Sequence, residues 1–121
     1  MFAETLREVV DTTEGAVASL VMDVEGIPLE SYLKEGLPPP YDVEVVGAEF
    51  SVIVKSVQRT VESLEAGGAR ELSVQAEKMT TLIRVLTKEY FLALTMAPGG
   101  NLGKGRFMLR LAAPKILKEL Q

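Results

Sequence analysis

The sequence predicts an α+β fold: a three-layer α/β/α sandwich around a five-stranded, mostly antiparallel sheet. Two of the predicted strands, Ile27–Lys34 and Ala69–Lys78, alternate between apolar and polar residues, as half-buried edge strands do. Three other strands are apolar on both faces, which is typical of the centre of a sheet. A long amphipathic helix lies between the second and third strands, and a shorter helix is predicted at each end of the chain.

A short helix and a hairpin are predicted for the first third of the chain. Apolar residues recur at helical spacing through residues 2–10, which indicates the first helix. The segment Ala16–Val24 is apolar at most positions, so we expect a strand that is buried on both faces. A turn at Gly26 leads into Ile27–Lys34, and Pro28 restricts that second strand to an edge of the sheet.

The long helix is predicted to begin after Asp42, its N-cap, and to end near Ala66, before two glycines. Its core stripe is predicted to contain Val43, Val46, Phe50, Ile53, Val54, Val57, Val61 and Leu64. A second line of residues on the same helix contains Val45, Val52, Ser56 and Ser63, with Arg59 at its margin. A helix that serves only its own core rarely needs additional exposed valines, so we expect this second line to contact another protein chain.

The strands Ala69–Lys78, Thr81–Thr87 and Tyr90–Met96 are predicted to form a meander before a final helix, Lys104–Leu120. If the two half-buried strands are the edges, the first strand must pair with the fifth, which gives the strand order 2-1-5-4-3. The long helix then covers one face, and the two terminal helices cover the other. We expect residues 1–121 to be a single domain.

The two edges of this sheet differ in sequence. Pro28 blunts the second strand, whereas the third strand has no proline or glycine after Gly68. We therefore expect a twofold homodimer in which the third strand pairs with its copy, centred on Ser73, and the long helices pack side by side. The predicted dimer-interface residues are Val45, Val52, Ser56, Arg59, Ser63, Glu71, Leu72, Ser73, Val74 and Gln75. The alternative is a solvated edge that Glu71 and Glu77 protect.

Composition argues against most enzymes. The chain has no histidine and no cysteine, which removes most nucleophilic triads, most zinc sites and any disulfide. Residues 99–105 resemble a phosphate-binding loop, but Gly99 is one residue too close to the Gly-Lys pair, and Gly105 replaces the Mg²⁺-binding hydroxyl. We expect no catalytic residue, no cofactor and no metal, and therefore no enzyme. Carboxylate chemistry is the remaining enzymatic alternative.

Charge and hydropathy limit the choice of partners. The net charge is −4 and no basic stripe is evident, so we do not expect nucleic acid as a partner. The cations of the final helix are interpreted as a solvated face: Lys104, Arg106, Arg110, Lys115 and Lys118. No apolar run reaches the ~20 residues that span a bilayer, and the N-terminus does not resemble a signal peptide. We expect a cytoplasmic protein without direct membrane insertion.

Two motifs resemble the roadblock domain family, which is named for the dynein light chain roadblock. Residues 14–18 (EGAVA) leading to Asp23–Leu29 (DVEGIPL) are similar to the first hairpin of that family. Residues 94–98 (LTMAP) running into 101–106 (NLGKGR) are similar to its last strand and following helix. The resemblance covers almost the whole chain. The proline-rich connection at residues 35–40 is an elaboration that the shortest members lack.

Within that family, the chain is most similar to bacterial, MglB-like GTPase regulators. The resemblance implies dimers formed through the long helix and the third strand, and binding to a small Ras-like GTPase whose nucleotide cycle the protein modulates. It places the partner-binding surface on the helix pair, at Glu44, Val45, Val52, Ser56, Arg59 and Ser63. The alternative is a structural adaptor that assembles a larger complex and leaves nucleotide turnover unchanged.

Overall fold

The computed structural model describes residues 2–36 and 42–121. In chain order the elements are α1 (Ala3–Asp11), β1 (Ala16–Asp23), β2 (Pro28–Leu33), α2 (Val43–Ser63), β3 (Glu71–Gln75), β4 (Thr80–Val85), β5 (Tyr90–Met96) and α3 (Leu102–Leu120). All the predicted helices and strands are present, with ends that move by a few residues. Most of the proline-rich connection lies outside the described residues.

The strands form one five-stranded sheet in the order β2-β1-β5-β4-β3, which confirms the predicted order. All four neighbouring pairs are antiparallel, so the sheet is antiparallel throughout. The central strands β1, β5 and β4 contain most of the buried strand residues. The half-buried strands β2 and β3 are the edges, as their alternating sequences predicted.

Two apolar cores lie on opposite faces of the sheet. Alternation along each strand separates them, because successive side chains point to opposite faces. Val21 of β1 and Leu82 of β4 pack with α1 and α3. Their neighbours Leu20 and Ile83 pack with α2 instead. The predicted three layers, with α2 on one face and the two terminal helices on the other, are therefore confirmed.

Gly47 determines how α2 packs on the sheet. A Cβ added there would lie 2.8 Å from Met22 Cε and 3.0 Å from Leu20 Cδ2, so the helix backbone approaches β1 closely. The buried residues of α2 are Val43, Gly47, Ser51 and Val54. The assignment of Ile53 and Leu64 to the core stripe was wrong for the isolated chain, since both are exposed. They lie about 100° around the helix from the line that faces the sheet.

Both long helices begin at side-chain caps. Asp42 Oδ1 accepts hydrogen bonds from the backbone N–H groups of Glu44 (3.0 Å) and Val45 (3.2 Å), which confirms the predicted cap of α2. Asn101 Oδ1 accepts one from the backbone N–H of Lys104 at 3.0 Å. The glycine-rich segment before α3 therefore ends in a helix cap that Asn101 supplies.

Candidate functional site

The edge strand β3 presents an incomplete apolar surface. Leu72 lies opposite Ile83 of β4, on the face of the sheet that α2 covers. Leu72 and Val74 are only half-buried, and no further strand of the described chain lies beyond them. A free edge with unpaired backbone groups and half-covered apolar side chains is suited to pairing with another strand.

The opposite side of β3 is polar and bonds to its own chain. Arg106 Nη2 donates a hydrogen bond to Ser73 Oγ at 3.3 Å, and Arg84 lies 3.7 Å from the carboxylate of Glu71. These residues border a small cavity of about 150 Å³ between β3, β4 and α3. These contacts tie the edge strand to α3, whereas Leu72 and Val74 lie half-buried on the opposite face.

A groove of about 1100 Å³ separates the C-terminal half of α2 from the start of β3. Val57 lines one wall, and Arg70 and Val85 line the other. Ile53 and Leu64 lie on the same line of α2 as Val57, because they are four residues before it and seven residues after it. We call Ile53, Val57 and Leu64 the groove-side stripe. Leu64 is 71% exposed, so the isolated chain leaves part of this stripe without apolar contacts.

The sequence pattern does not separate the groove-side stripe from the core. The apolar positions assigned to the core extend about 100° around α2, which is the ordinary width of a core-facing stripe. The sheet covers only the half nearest Gly47. The other half contains Ile53 and Leu64, which are exposed, and Val57, which borders the groove.

The second line of α2 points away from the sheet. Val45 is 57% exposed and Val52 is 68% exposed. Together with Ser56, Arg59 and Ser63, all exposed, they lie within a narrow arc opposite the buried line. We call these five residues the outer strip.

The structure does not gather every predicted site residue in one place. Glu44 is exposed, but it lies about 100° around α2 from Val45 and is therefore outside the outer strip. The predicted interface residues of β3, residues 71–75, form a separate group at the sheet edge. The groove-side stripe lies between the outer strip and the β3 edge. These three groups together form the candidate surface, which is partly apolar.

The clearest pKa shift in the described residues is that of Tyr32, on β2 at the other edge of the sheet. Partial burial and the neighbouring Asp11 carboxylate raise the pKa of Tyr32 above its usual value. Residues 2–36 and 42–121 contain no group of three or more Asp or Glu side chains arranged to hold a metal. Within the same ranges, the helices lack the length and apolar character needed to cross a bilayer.

Comparisons with known proteins agree with this architecture. The family model for the Roadblock/LC7 domain matches residues 2–95. The chain is similar to MglC from Myxococcus xanthus, with 35% identity, coverage of 98% of both chains and a TM-score of 0.71. It also shares its fold with the gliding protein MglB from Thermus thermophilus, at 22% identity, 97% and 88% coverage and a TM-score of 0.83.

A structure described as MglB with a tetrameric arrangement has the same fold, with 22% identity, coverage of 96% of this chain and 85% of that one, and a TM-score of 0.85. A search of curated protein sequences gave no significant match. The match to the family model spans the sheet, α1 and α2, which are the parts that form the candidate surface. The chain belongs to the Roadblock/LC7 domain family.

Proposed function

We propose that this protein is a non-catalytic, cytoplasmic, dimeric regulator that binds a small Ras-like GTPase of a prokaryotic host and modulates its nucleotide cycle. The main observation is the outer strip, where Val45 and Val52 are 57% and 68% exposed on the helix through which the family resemblance implies association. Exposed aliphatic side chains in line with Arg59 suit a protein partner. The 35% identity to MglC and the shared fold with MglB favour the bacterial branch of the family.

The proposed dimer joins the two free β3 edges in one continuous antiparallel sheet. With the twofold axis at Ser73, Glu71 opposes Gln75 of the second copy and Leu72 opposes Val74, so like charges do not meet. The axis is perpendicular to the sheet, and the two α2 helices therefore lie on the same side. Their groove-side stripes would then cover each other, in place of the outer strips that the sequence analysis assigned to this contact. Ile53 and Leu64, which are exposed in the isolated chain, would become buried.

Regulation in this proposal depends on a difference in affinity between nucleotide states. The outer strips of the paired α2 helices form a platform for the switch segments of the GTPase. A protein that binds the GTP state tenfold more tightly than the GDP state shifts the equilibrium between them by about 1.4 kcal/mol. The outer strip offers Arg59 as its cation, and this side chain would pair with acidic groups of the partner without entering the reaction.

Calorimetry tests this proposal. The dimer would be titrated with each small Ras-like GTPase of the host, loaded with GDP or with a non-hydrolysable GTP analogue. We expect affinities that differ by about tenfold or more between the two states of one GTPase. Arg59→Glu should weaken that binding, and Lys34→Glu, an equal charge change at the end of β2, should leave it intact. Failure of all these GTPases to bind in either state would refute the proposal.

The adaptor alternative has its own structural support. The other sheet edge exposes the large apolar side chains Ile27, Leu29 and Leu33, so a dimer would present two further surfaces for assembly. The shared fold with an MglB of tetrameric arrangement is consistent with such assembly. Rates of GTP hydrolysis and nucleotide exchange decide between the two functions. An adaptor binds the GTPase and leaves both rates unchanged, whereas a regulator alters at least one of them.

A further inference from the structure

The outer face of α3 is apolar at its centre, and this helix lies on the face of the sheet opposite α2. Phe107 is 47% exposed and Leu111 is 46% exposed, and Pro114 is exposed beside them. The buried residues of α3 are Gly105, Met108, Leu109, Ala112, Ala113 and Ile116, which lie on the opposite side of the helix. The match to the family model ends at residue 95, before α3 begins.

Cations surround this apolar centre. By helical spacing, Lys104, Arg110, Lys115 and Lys118 share the exposed side with Phe107 and Leu111, whereas Glu119 lies toward the flank. The helix carries five Lys or Arg and one Glu, a net charge of +4. Since the net charge of the chain is −4, the remaining residues carry −8. Lys104 Nζ lies 5.6 Å from the centre of the Phe107 ring, so a cation and the aromatic side chain occupy adjoining positions.

We propose that the outer face of α3 adsorbs to anionic lipid bilayers, with the helix axis parallel to the membrane plane. The apolar side of α3 is occupied by the sheet, but cations around an exposed aromatic and an exposed leucine give its outer face both of the attractions that hold peripheral segments at headgroup depth. Phe107 and Leu111 enter the boundary of the acyl chains, and the lysines contact lipid phosphates. This is peripheral adsorption, and it requires no spanning segment.

The shape and charge of the face favour a membrane over an acidic protein segment. The face is the convex side of a single helix, and Phe107 and Leu111 line neither of the two cavities described above. A partner helix usually binds in a groove, whereas a bilayer accommodates a convex apolar ridge. The exposed side also lacks an acidic residue that would pair with the cations of a mixed-charge protein surface.

The neighbouring helix α1 limits the strength of this adsorption. Lys115 lies 3.9 Å from the carboxylate of Glu8, so one acidic group of α1 borders the face. One copy should therefore bind weakly. The next step alone rests on the proposed dimer. Because its twofold axis is perpendicular to the sheet, both α3 helices lie on the same side of the dimer. Two faces that bind the same bilayer strengthen adsorption by effective concentration.

Vesicle flotation tests the inference with the full chain. The probes are vesicles of phosphatidylcholine alone and vesicles with about one-third phosphatidylserine, at low and high salt. We expect binding only to the anionic vesicles, and loss of that binding at high salt. The double variant Lys104→Gln/Lys118→Gln should lower partitioning about tenfold or more. The matched control Lys34→Gln/Lys78→Gln removes the same charge elsewhere and should stay within about twofold of the parent.

Two further variants keep the outcomes distinct. Phe107→Ser should weaken binding and leave the thermal unfolding of the protein unchanged, because the side chain is exposed. Ile53→Asp, which is designed to give a monomer, should bind vesicles more weakly but keep the preference for anionic lipid. Loss of the dimer can therefore be distinguished from loss of the membrane-binding face. Equal binding to neutral vesicles, no binding to either vesicle, or equal losses in the two double variants would overturn the inference. Capture on poly-glutamate beads without vesicle binding would indicate an acidic protein partner instead and would also overturn it.

Discussion

Gly105 lies where α3 packs closely on the sheet. A Cβ built there would lie 2.8 Å from Leu82 Cδ1 and 3.2 Å from both Leu94 Cδ2 and Met96 Sδ. Gly105→Val should therefore lower the free energy of unfolding by roughly 1–3 kcal/mol, because a packed core resists added volume. Gly103, on the same helix, meets only Asn101 Oδ1 at 3.7 Å, and its valine variant should stay within about 0.5 kcal/mol of the parent. Urea unfolding measures both, and equal losses would contradict the packing assigned to Gly105.

Tyr32 provides a test of pH dependence. Its hydroxyl donates a hydrogen bond to Asp11 Oδ1 at 3.3 Å, and partial burial together with that carboxylate raises the pKa of Tyr32. The folded state therefore holds the phenol proton more tightly than the unfolded state does. The resulting stabilisation is complete below the ordinary tyrosine pKa of about 10 and is lost as pH rises through the folded-state value.

Thermal unfolding of the parent and of Tyr32→Phe as a function of pH measures this stabilisation. The difference between the two proteins should be constant below about pH 8 and should shrink above about pH 10, because only the parent loses the contribution of the phenol proton. Two curves that stay parallel into the alkaline range would contradict the link between β2 and α1 through this hydrogen bond.

The N-cap of α2 is the clearest feature at the scale of one element. Asp42 accepts hydrogen bonds from two backbone N–H groups, at Glu44 and Val45, and its side chain is therefore the cap at this end of the helix. Asp42→Ala should lower the free energy of unfolding by about 0.5–2 kcal/mol, whereas Asp42→Asn keeps an acceptor and should recover most of it. Chemical unfolding of the three proteins checks the order. An alanine variant as stable as the parent would show that the cap contributes nothing.

The sequence predicted that apolar and polar residues alternate along β2, but it did not predict which face of this strand the helices would cover. The more buried positions are Glu30 and Tyr32, because α1 packs on that face. Glu30 Oε1 accepts a hydrogen bond from the backbone N–H of Phe2 at 3.0 Å. Leu29 and Leu33 consequently remain exposed on the other face. Periodicity identifies the two faces of a strand, but the position of a neighbouring helix decides which one is buried.

At the scale of the whole molecule, strand order followed from the contrast between half-buried and fully buried strands, and that prediction was confirmed. The candidate surface could be predicted only in part. The outer strip followed from helical spacing, and the structure places Val45 and Val52 in solvent as expected. The groove-side stripe was assigned to the core, because its residues continue the apolar sector that faces the sheet without a break in the sequence pattern. Only the close approach at Gly47 divides that sector in two.

The groove-side stripe and the β2 edge supply a matched pair of variants for the proposed dimer. Ile53 is 40% exposed and Leu29 is 42% exposed, so aspartate at either position should leave the isolated chain folded. Ile53→Asp would bury an unpaired charge between two α2 helices and should raise the dimer dissociation constant roughly 100-fold, about 2.7 kcal/mol. Leu29→Asp lies on the far edge and should leave the dimer intact. Sedimentation velocity over a range of concentrations measures both. If Leu29→Asp produced the monomer and Ile53→Asp did not, the subunits would associate through β2, and the β3 pairing would be wrong.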